Sequence, residues 1–477
     1  MKSWRVLASL GALGLTAATP LPTAPVRLVP PVRAFAPPSW PDPEVLALRS
    51  GAPIRLLARP QVPLVRVEVS LPWDGGEASL TDQLSAAMMG QLLKAGTLHR
   101  SGAELDAALD RLGARWNIGA TTSRLWGEVE VPVGAEAQAL SLLREALLEP
   151  ALDKAEAKRI LTRWITWRES LGLDLVRTHD RAVNHAWYPL DHPSRHTSTP
   201  RDLKRLKPKD VADLHRRIIA QATPRIAVVG ATTASEMLPL LEEAFGELEG
   251  EAAPTDLPPV DPQATGWLVH RPGFEVARLT VLLPGPSQAD PDAPLADLLM
   301  GILASEFTSR VPMDLRETRG LAYSVSGRTQ SWRGDGRLRI DAEVDGDRAA
   351  EALVALEAHL DRLLAEGAEG LTEHELRAAR NTLLVRHDRM FETLRSTTNT
   401  LGELLILDQE LPRLRAERSR IATATPSELS EAMAGWLDPE NRVWVLTGDR
   451  DVIEPSLERL DRLPNRIVGA SSVAHEP

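Results

Sequence analysis

The residues best suited to chemistry lie in one short segment, residues 313–325, which contains Arg316 and Tyr323. An arginine fork and a phenol are both hydrogen-bond donors whose geometry suits a peptide carbonyl. In a dry cleft, such donors stabilise the oxyanion that develops when a peptide bond is hydrolysed. The pair is therefore chemically suited to contact a peptide carbonyl. The structural alternative is an arginine that pairs with a neighbouring carboxylate and a tyrosine whose ring packs on the core.

Two secondary-structure elements must position this pair. The pattern predicts a helix over residues 307–318 that ends at Gly320, because glycine is favoured just past a helix end. A strand is predicted to begin at Ala322, where residues that favour strands follow. Further along, Thr372 and Glu375 form a capping-box pattern that predicts the start of another helix. The arginine and the tyrosine are thus expected on either side of one helix-to-strand junction.

Strand patterns of the second half recur in the first half. Residues 64–72 alternate apolar and polar side chains as a half-buried strand does, and residues 277–284 repeat the pattern. A second pair of strands, residues 224–230 and 441–448, each leads into a helix. Both pairs are offset by roughly 215 residues, about the length of one or two ordinary domains. The repeat predicts two related α+β halves.

A linker is predicted between the two halves. Residues 251–262 are rich in proline and in small or acidic residues, a composition that favours an extended connection. The predicted domains are therefore an N-terminal half over residues 43–250 and a C-terminal half over residues 263–477. A chain of 477 residues, 43% of them hydrophobic, has enough apolar material for two or more cores.

Residues 1–36 are predicted to be an export signal followed by a proline-rich leader. Lys2 and Arg5 give a positive start, and residues 6–18 form an apolar run too short for a permanent membrane span. The chain contains no cysteine, so it has no lipid-attachment thiol and no thiolate metal ligand. An exported, periplasmic protein is expected, with no stable membrane span after signal removal.

The charge balance argues against nucleic acid as a partner. Charged residues make up 25% of the chain, and the formal net charge is −11 at pH 7. Nucleic-acid phosphates are bound by basic patches, and an acidic balance opposes such binding.

Several stretches resemble the pitrilysin/insulinase family of inverzincin metallopeptidases, especially short bacterial members related to mitochondrial processing peptidase. In the second half they are Phe-Thr-Ser-Arg at 307–310, Leu-Arg-Glu-Thr-Arg-Gly-Leu-Ala-Tyr-Ser-Val at 315–325, and Leu-Thr-Glu-His-Glu-Leu at 371–376. In the first half they are residues 96–97, 100–105 and 112–114. The resemblance spans almost the whole chain after the leader, and the Arg/Tyr segment is its most specific part.

The resemblance implies a fold and a role for the pair. The implied fold class is α+β, with two homologous halves of the mitochondrial processing peptidase type, each a mainly antiparallel sheet with helices packed on it. In the family, an arginine and a tyrosine at this spacing bind the substrate and stabilise the oxyanion. Arg316 and Tyr323 are expected to do so here.

The zinc motif of the family is degenerate in this chain. Counting back from the Gly-Thr pair at 96–97, Ala87, Gly90 and Gln91 stand where H-x-x-E-H has its first histidine, its glutamate and its second histidine. Glu169 is the one acidic candidate for the distal ligand. A catalytic zinc needs three nitrogen or oxygen ligands and an open position for water. No metal is expected in this chain, and zinc is expected in a partner subunit.

A group of histidines and aspartates matches no metal-ligand spacing. Its members are His179, His185, His192, His196, Asp180 and Asp191. Lone imidazoles are usually satisfied by hydrogen bonds, so structural roles are expected for them. The twelve tryptophans are likewise expected to form core and cleft walls.

Three functions compete. In the first, the chain is the non-zinc-binding subunit of a heterodimeric zinc metallopeptidase. A homologous partner then supplies H-x-x-E-H and zinc, and this chain supplies Arg316 and Tyr323 to the substrate peptide in trans. In the second, it is a catalytically inactive peptide-binding or scaffold protein of the cell envelope, with homodimer and heterodimer both open. The third, an autonomous zinc peptidase, is disfavoured by the missing ligands.

Overall fold

The computed structural model describes residues 40–73, 79–170, 174–195, 198–251 and 256–475. The predicted signal and leader, residues 1–36, lie outside these ranges. The described chain forms two six-stranded sheets with helices packed on them, an α+β fold. None of the helices in the described ranges combines the length and the apolar character needed to cross a bilayer.

The first sheet belongs to the N-terminal half. Its strands are β1 (Glu44–Ala47), β2 (Pro53–Ala58), β3 (Leu64–Pro72), β4 (Arg115–Ala120), β5 (Arg124–Pro132) and β6 (Arg225–Gly230). Their order is β1-β2-β6-β3-β5-β4. The helices of this half are α1 (Leu80–Leu92), α2 (Gly102–Arg111), α3 (Glu136–Leu148), α4 (Lys154–Ser170), α5 (Leu175–Trp187), α6 (Pro200–Arg205), α7 (Pro208–Gln221) and α8 (Ala234–Phe245).

The second sheet belongs to the C-terminal half. Its strands are β7 (Thr265–His270), β8 (Val276–Pro284), β9 (Ala322–Ser331), β10 (Gly336–Asp345), β11 (Val443–Gly448) and β12 (Arg466–Gly469). Their order is β12-β7-β11-β8-β10-β9. The helices of this half are α9 (Ala293–Leu303), α10 (Arg310–Pro312), α11 (Ala349–Glu366), α12 (Glu373–Arg389), α13 (Leu394–Ile406), α14 (Leu411–Thr423), α15 (Pro426–Trp436), α16 (Arg450–Arg459) and α17 (Ala470–His475).

The two sheets share one internal topology. The block β2-β6-β3-β5-β4 corresponds to β7-β11-β8-β10-β9, and each pairing keeps its parallel or antiparallel sense. The sheets differ at one edge, where β1 pairs antiparallel with β2 but β12 pairs parallel with β7. The predicted repeat of two related α+β halves is confirmed.

The described part of the predicted linker, residues 256–262, contains neither helix nor strand. Its backbone follows the turn between β9 and β10. The amide of Leu257 donates to the carbonyl of Arg333 at 2.8 Å, and the amide of Val260 donates to Oδ1 of Asp335 at 3.4 Å. The connection between the halves is therefore held against the second sheet.

One face of each sheet carries an apolar core formed with helices of the same half. On β3, Val65, Val67 and Val69 are buried in a cluster that includes side chains of α1, α3 and α7. On β8, Leu279 and Val281 belong to the matching cluster of the second half. The apolar side chains of this alternating pattern thus mark the sheet face that packs on helices of the same half.

The opposite face of each sheet is covered by a helix from the other half. Helix α13 of the second half packs on β3 and β6, and helix α5 of the first half packs on β7 and β11. Leu401 of α13 and Val229 of β6 belong to one apolar cluster. Val183 of α5 and Val445 of β11 belong to another. Each half therefore supplies a helix that covers the second face of the other half's sheet.

The prediction that β3 is half-buried is wrong, because α13 covers its polar face as well. Arg66, Glu68 and Ser70 are 1%, 5% and 1% exposed. Arg66 forms ion pairs with Glu128 and Glu130 of β5. Buried charges are tolerated only when they are paired, and these side chains supply each other's partners.

His179 of α5 anchors that helix to the second sheet. Its Nδ1 hydrogen-bonds Oγ1 of Thr447 on β11 at 2.8 Å, and its Nε2 hydrogen-bonds Oγ1 of Thr280 on β8 at 2.7 Å. Burial, and to a lesser degree the charge of Arg339, lowers the pKa of His179 to about 3. The imidazole is therefore a neutral structural bridge.

This neutral imidazole makes the protein less stable in acid. As pH falls below about 6.5, the unfolded chain binds a proton at this histidine before the folded chain does. Stability is lost from there down to pH about 3, the folded pKa. The loss from this residue is about 2 kcal/mol between pH 7 and pH 5. Urea unfolding at these two pH values should show a smaller pH dependence in His179→Gln than in the wild type. An equal pH dependence of the free energy of unfolding in both proteins would contradict a neutral, buried His179.

Candidate active-site surface and degenerate zinc position

The helix before the Arg/Tyr junction begins later than predicted. It was expected to start at residue 307, but α10 starts at Arg310 and residues 304–309 form turns. Ser309 holds these turns, because its hydroxyl donates to the carbonyl of Gly301 at 2.7 Å and accepts the amide of Glu306 at 2.9 Å. Because the Ser309 side chain bonds to these turns, the helix begins only after it, at Arg310.

Arg316 lies in a π-helical turn. Residues Met313–Thr318 continue α10 with wider winding, and the amide of Arg319 donates to the carbonyl of Asp314 at 2.8 Å. The predicted end at Gly320 is confirmed, with φ at +60°, a conformation that favours glycine. The predicted strand start at Ala322 is also confirmed. Turns of this π type are frequent at functional sites.

The contacts of Arg316 leave its guanidinium accessible. Nε lies 3.3 Å from Oε1 of Glu317, and both side chains are 44% exposed. The guanidinium carbon lies 4.5 Å from the ring centroid of Phe307, which is a cation–π contact. The structural alternative of a neighbouring carboxylate partner therefore holds for this residue. The pair is nevertheless at the surface, where such a bridge is worth only about 0–1 kcal/mol.

Tyr323 does not pack on the core, so the structural alternative is wrong for this residue. Its side chain is 84% exposed at the second position of β9. In the described chain β9 pairs only with β10 and forms an edge of the second sheet. Phe307 and Met313 are also exposed, at 57% and 39%. We call Phe307, Met313, Arg316 and Tyr323 the Arg/Tyr surface.

The degenerate zinc motif lies on α1. Ala87 and Gln91 are exposed and Gly90 is half-buried. Oε1 of Gln91 accepts a hydrogen bond from Nη2 of Arg163 at 2.6 Å. The side chain of Glu169, the proposed distal ligand, is outside the part of the chain that the structure describes. Within that part, no group of three or more histidine, aspartate or glutamate side chains is arranged to hold a metal. The side chains on α1 do not fit zinc.

Gly90 has a packing role. A methyl group at this position would lie 3.1 Å from the amide nitrogen of Ala120 on β4 and 3.5 Å from its carbonyl oxygen. Helix α1 therefore rests directly on the backbone of β4. The absence of a side chain permits this close approach, which the glutamate of the zinc motif would obstruct.

A cavity of about 450 Å³ lies beside the degenerate motif. It is lined by side chains of α1 and α4, among them Leu84, Ala87, Arg163, Trp164, Trp167 and Arg168. The tryptophans were expected in the core and in cleft walls, but Trp164 and Trp167 were not predicted to line a cavity. The available signal was their spacing on α4, since residues three and four apart share one helix face.

The second half contains another cavity of about 350 Å³, lined in part by Asp297, Thr329 and His387. Burial raises the pKa of Asp297 and lowers the pKa of His387 to about 4. Neither Arg316 nor Tyr323 lines this cavity, so it is separate from the Arg/Tyr surface.

The histidine group has structural contacts. In addition to His179, Nε2 of His192 hydrogen-bonds the carbonyl of Pro258 in the linker at 3.0 Å. Its ring stacks on Tyr188 with the centroids 4.3 Å apart. His196 lies outside the described residues.

Comparisons with known proteins place this geometry among peptidase-like folds. A family model described as the peptidase M16 inactive domain matches residues 205–383. No curated protein matches the chain in sequence.

Solved structures match most of the chain. A peptidase M16 inactive domain from Pseudomonas fluorescens superposes with a TM-score of 0.74 at 18% identity, covering 85% of this chain and 98% of its own. A protease from Helicobacter pylori superposes with a TM-score of 0.75 at 17% sequence identity. The match covers 86% of this chain and 99% of that protease. The periplasmic protease PqqL from Escherichia coli superposes with a TM-score of 0.71 at 14% sequence identity. The match covers 88% of this chain but 48% of PqqL. At these identities the likeness establishes the fold.

The packing role of Gly90 can be tested against a second helical glycine. Alanine stabilises a helix interior by about 0.5–1 kcal/mol relative to glycine. On α15, a methyl group at Gly435 would have no atom within 4 Å. Urea unfolding should show that gain for Gly435→Ala and no gain, or a loss, for Gly90→Ala. The same gain in both variants would show that α1 does not rest on β4.

Proposed function

We propose that this chain is the non-zinc-binding subunit of a heterodimeric zinc metallopeptidase. The proposal is supported by its resemblance to the pitrilysin/insulinase family, by the match of residues 205–383 to the M16 inactive-domain model, and by its fold. A homologous partner chain supplies H-x-x-E-H and zinc. This chain supplies Arg316 and Tyr323 to the bound peptide. The observation that carries the proposal is Tyr323, a residue that is 84% exposed on an edge strand and close in the chain to an accessible arginine.

Peptide recognition at this surface follows from the free edge of β9. An extended peptide can add to a sheet edge through main-chain hydrogen bonds, which presents its carbonyl groups in a regular array. The hydroxyl of Tyr323 and the guanidinium of Arg316 are both donors for a carbonyl oxygen. Such donors stabilise the peptide oxygen most strongly when it becomes an oxyanion.

The pairing of Arg316 with Glu317 does not prevent this role. A surface ion pair contributes about 0–1 kcal/mol, whereas a hydrogen bond to a charged group contributes about 1.5–3 kcal/mol. Exchange of the Glu317 carboxylate for a developing oxyanion is therefore favourable. The stacked ring of Phe307, 4.5 Å away, keeps the guanidinium at the junction during the exchange.

The length of the E. coli relative supports a separate partner. This chain aligns with 48% of PqqL, so it corresponds to about half of that protease. We propose that a second chain supplies the remainder, including the zinc site. Because PqqL is a periplasmic protease, the comparison also supports export of this chain to the periplasm.

The test is peptide hydrolysis by this chain mixed with an H-x-x-E-H homologue encoded in the same genome. Cleavage of a fluorogenic peptide library should appear only in the mixture and should be lost when a chelator is added. In the mixture, Arg316→Ala should lower kcat/KM by about 100-fold or more, because an oxyanion donor is removed. Tyr323→Phe, which removes only the hydroxyl, should lower kcat/KM by about tenfold or more.

Arg319 offers a matched control at the same junction. It is 47% exposed and pairs with Asp314 at 2.9 Å. Arg319→Gln should leave the activity of the mixture unchanged. If mixing produces no activity, or if the Arg316 and Tyr323 variants retain full activity in an active mixture, the alternative of an inactive peptide-binding or scaffold protein of the cell envelope is favoured.

A further inference from the structure

The cavity beside the degenerate zinc motif combines aromatic walls with arginines. Trp164 and Trp167 of α4 line it together with Leu84 and Ala87 of α1. Ala87 stands where the zinc motif has its first histidine, so the small side chain that removes a ligand also leaves room. The cavity has a volume of about 450 Å³.

Arg168 is the central charge of this cavity. It is half-buried, and its Nη2 donates to Oγ of Ser198 at 2.6 Å. Its Nε is buried without a hydrogen-bond partner, and no carboxylate of the described residues lies within ion-pairing distance of it. Burial, and to a lesser degree the charge of Arg177, lowers the pKa of Arg168. A partly desolvated guanidinium without a counter-ion is costly, and a bound anion removes much of that cost.

The surroundings of Arg168 are positive and aromatic. Its guanidinium carbon lies 5.3 Å from the ring centroid of Trp167, and that of Arg177 lies 4.2 Å from the same ring. Arg163 also lines the cavity, and its Nη2 donates a hydrogen bond to the neutral side chain of Gln91. Asp174 pairs with Arg177 at 3.1 Å and leaves the other two arginines without a carboxylate partner in the described chain. The cavity is therefore complementary to an anion that carries an apolar group.

We propose that this cavity binds a peptide through a carboxylate, with Arg168 as the counter-ion and the adjacent apolar side chain against Trp164 and Trp167. A planar guanidinium suits a carboxylate because it offers two parallel hydrogen bonds. The tryptophan faces supply contact area for an aliphatic or aromatic side chain. This site goes beyond the proposed function, because it requires neither a partner chain nor Arg316 and Tyr323.

A carboxylate can come from the end of a peptide or from an acidic side chain. Three fluorophore-labelled hexapeptides separate these sources. The first ends in phenylalanine with a free carboxylate, the second is its C-terminal amide, and the third is an amide with glutamate before the phenylalanine. Fluorescence anisotropy with the purified chain alone measures their affinities.

The free acid is expected to bind at least tenfold more tightly than its amide, and added salt should weaken that preference. Binding of the glutamate amide like the free acid would assign the site to acidic side chains. Binding like the plain amide would assign it to peptide C-termini. Equal affinity of all three peptides, or no binding of any, would overturn the proposal.

Two test variants, Arg168→Gln and Ala87→Leu, and one control variant, Arg159→Gln, show whether the peptide binds in this cavity. Arg168→Gln should remove the preference for the acid, whereas Arg159→Gln should keep it, because Arg159 is exposed on the same helix and paired with Glu156. Ala87→Leu should abolish binding by filling the cavity from the exposed face of α1. Ala87→Leu tests the proposal independently if Arg168→Gln does not fold. Retention of the acid preference in Ala87→Leu, or in a folded Arg168→Gln, would overturn the proposal. Because no partner chain is present, either failure leaves the test of the proposed function unaffected.

Discussion

The structure depends on charged sheet faces that are covered by helices from the opposite half. Under α13, Arg66 pairs with Glu128 and Glu130, Glu68 pairs with Arg124 at 3.1 Å, and Arg395 of α13 itself reaches Glu128 at 3.2 Å. Removal of one partner from such a buried network costs about 3–5 kcal/mol, because a charge is left unpaired. The second sheet is covered by α5, whose neutral His179 hydrogen-bonds Thr280 and Thr447. The exchange of helices therefore makes the two halves one interlocked unit.

The two interlocked halves share one topology but carry different side chains at their candidate sites. In the first half, Ala87, Gly90 and Gln91 of α1 do not suit zinc, and Gly90 lets the helix rest on β4. In the second half, the same topology presents Tyr323 on an edge strand and Arg316 on a π-helical turn. The proposed peptide-binding edge on β9 and the aromatic, cationic cavity between α1 and α4 therefore lie in different halves of the fold.

The sequence predicted the elements that depend on local patterns. Alternation identified β3 and β8, glycine marked the end of the turn at Gly320, and the Thr372 capping box marks the start of α12. The Arg/Tyr junction was predicted because both residues lie on elements adjacent in the chain. What escaped prediction depends on contacts between distant segments. The polar side of β3 is buried by α13, which lies more than three hundred residues later in the sequence. The packing role of Gly90 depends on its contact with β4. The cavity is formed only where α1 and α4 lie side by side.

The most direct test of the interlock is a substitution in one half whose effect is measured in the other. A methyl group at Gly402 of α13 would lie 2.9 Å from Oε1 of Glu68 on β3. Amide hydrogen exchange of Gly402→Val is predicted to speed up in β3 and β6 of the first sheet as well as in α13. Gly435→Val on α15, a site with open space around it, should leave the first sheet unchanged. Unchanged protection of β3 and β6 in a Gly402→Val protein whose α13 exchanges faster would contradict the account.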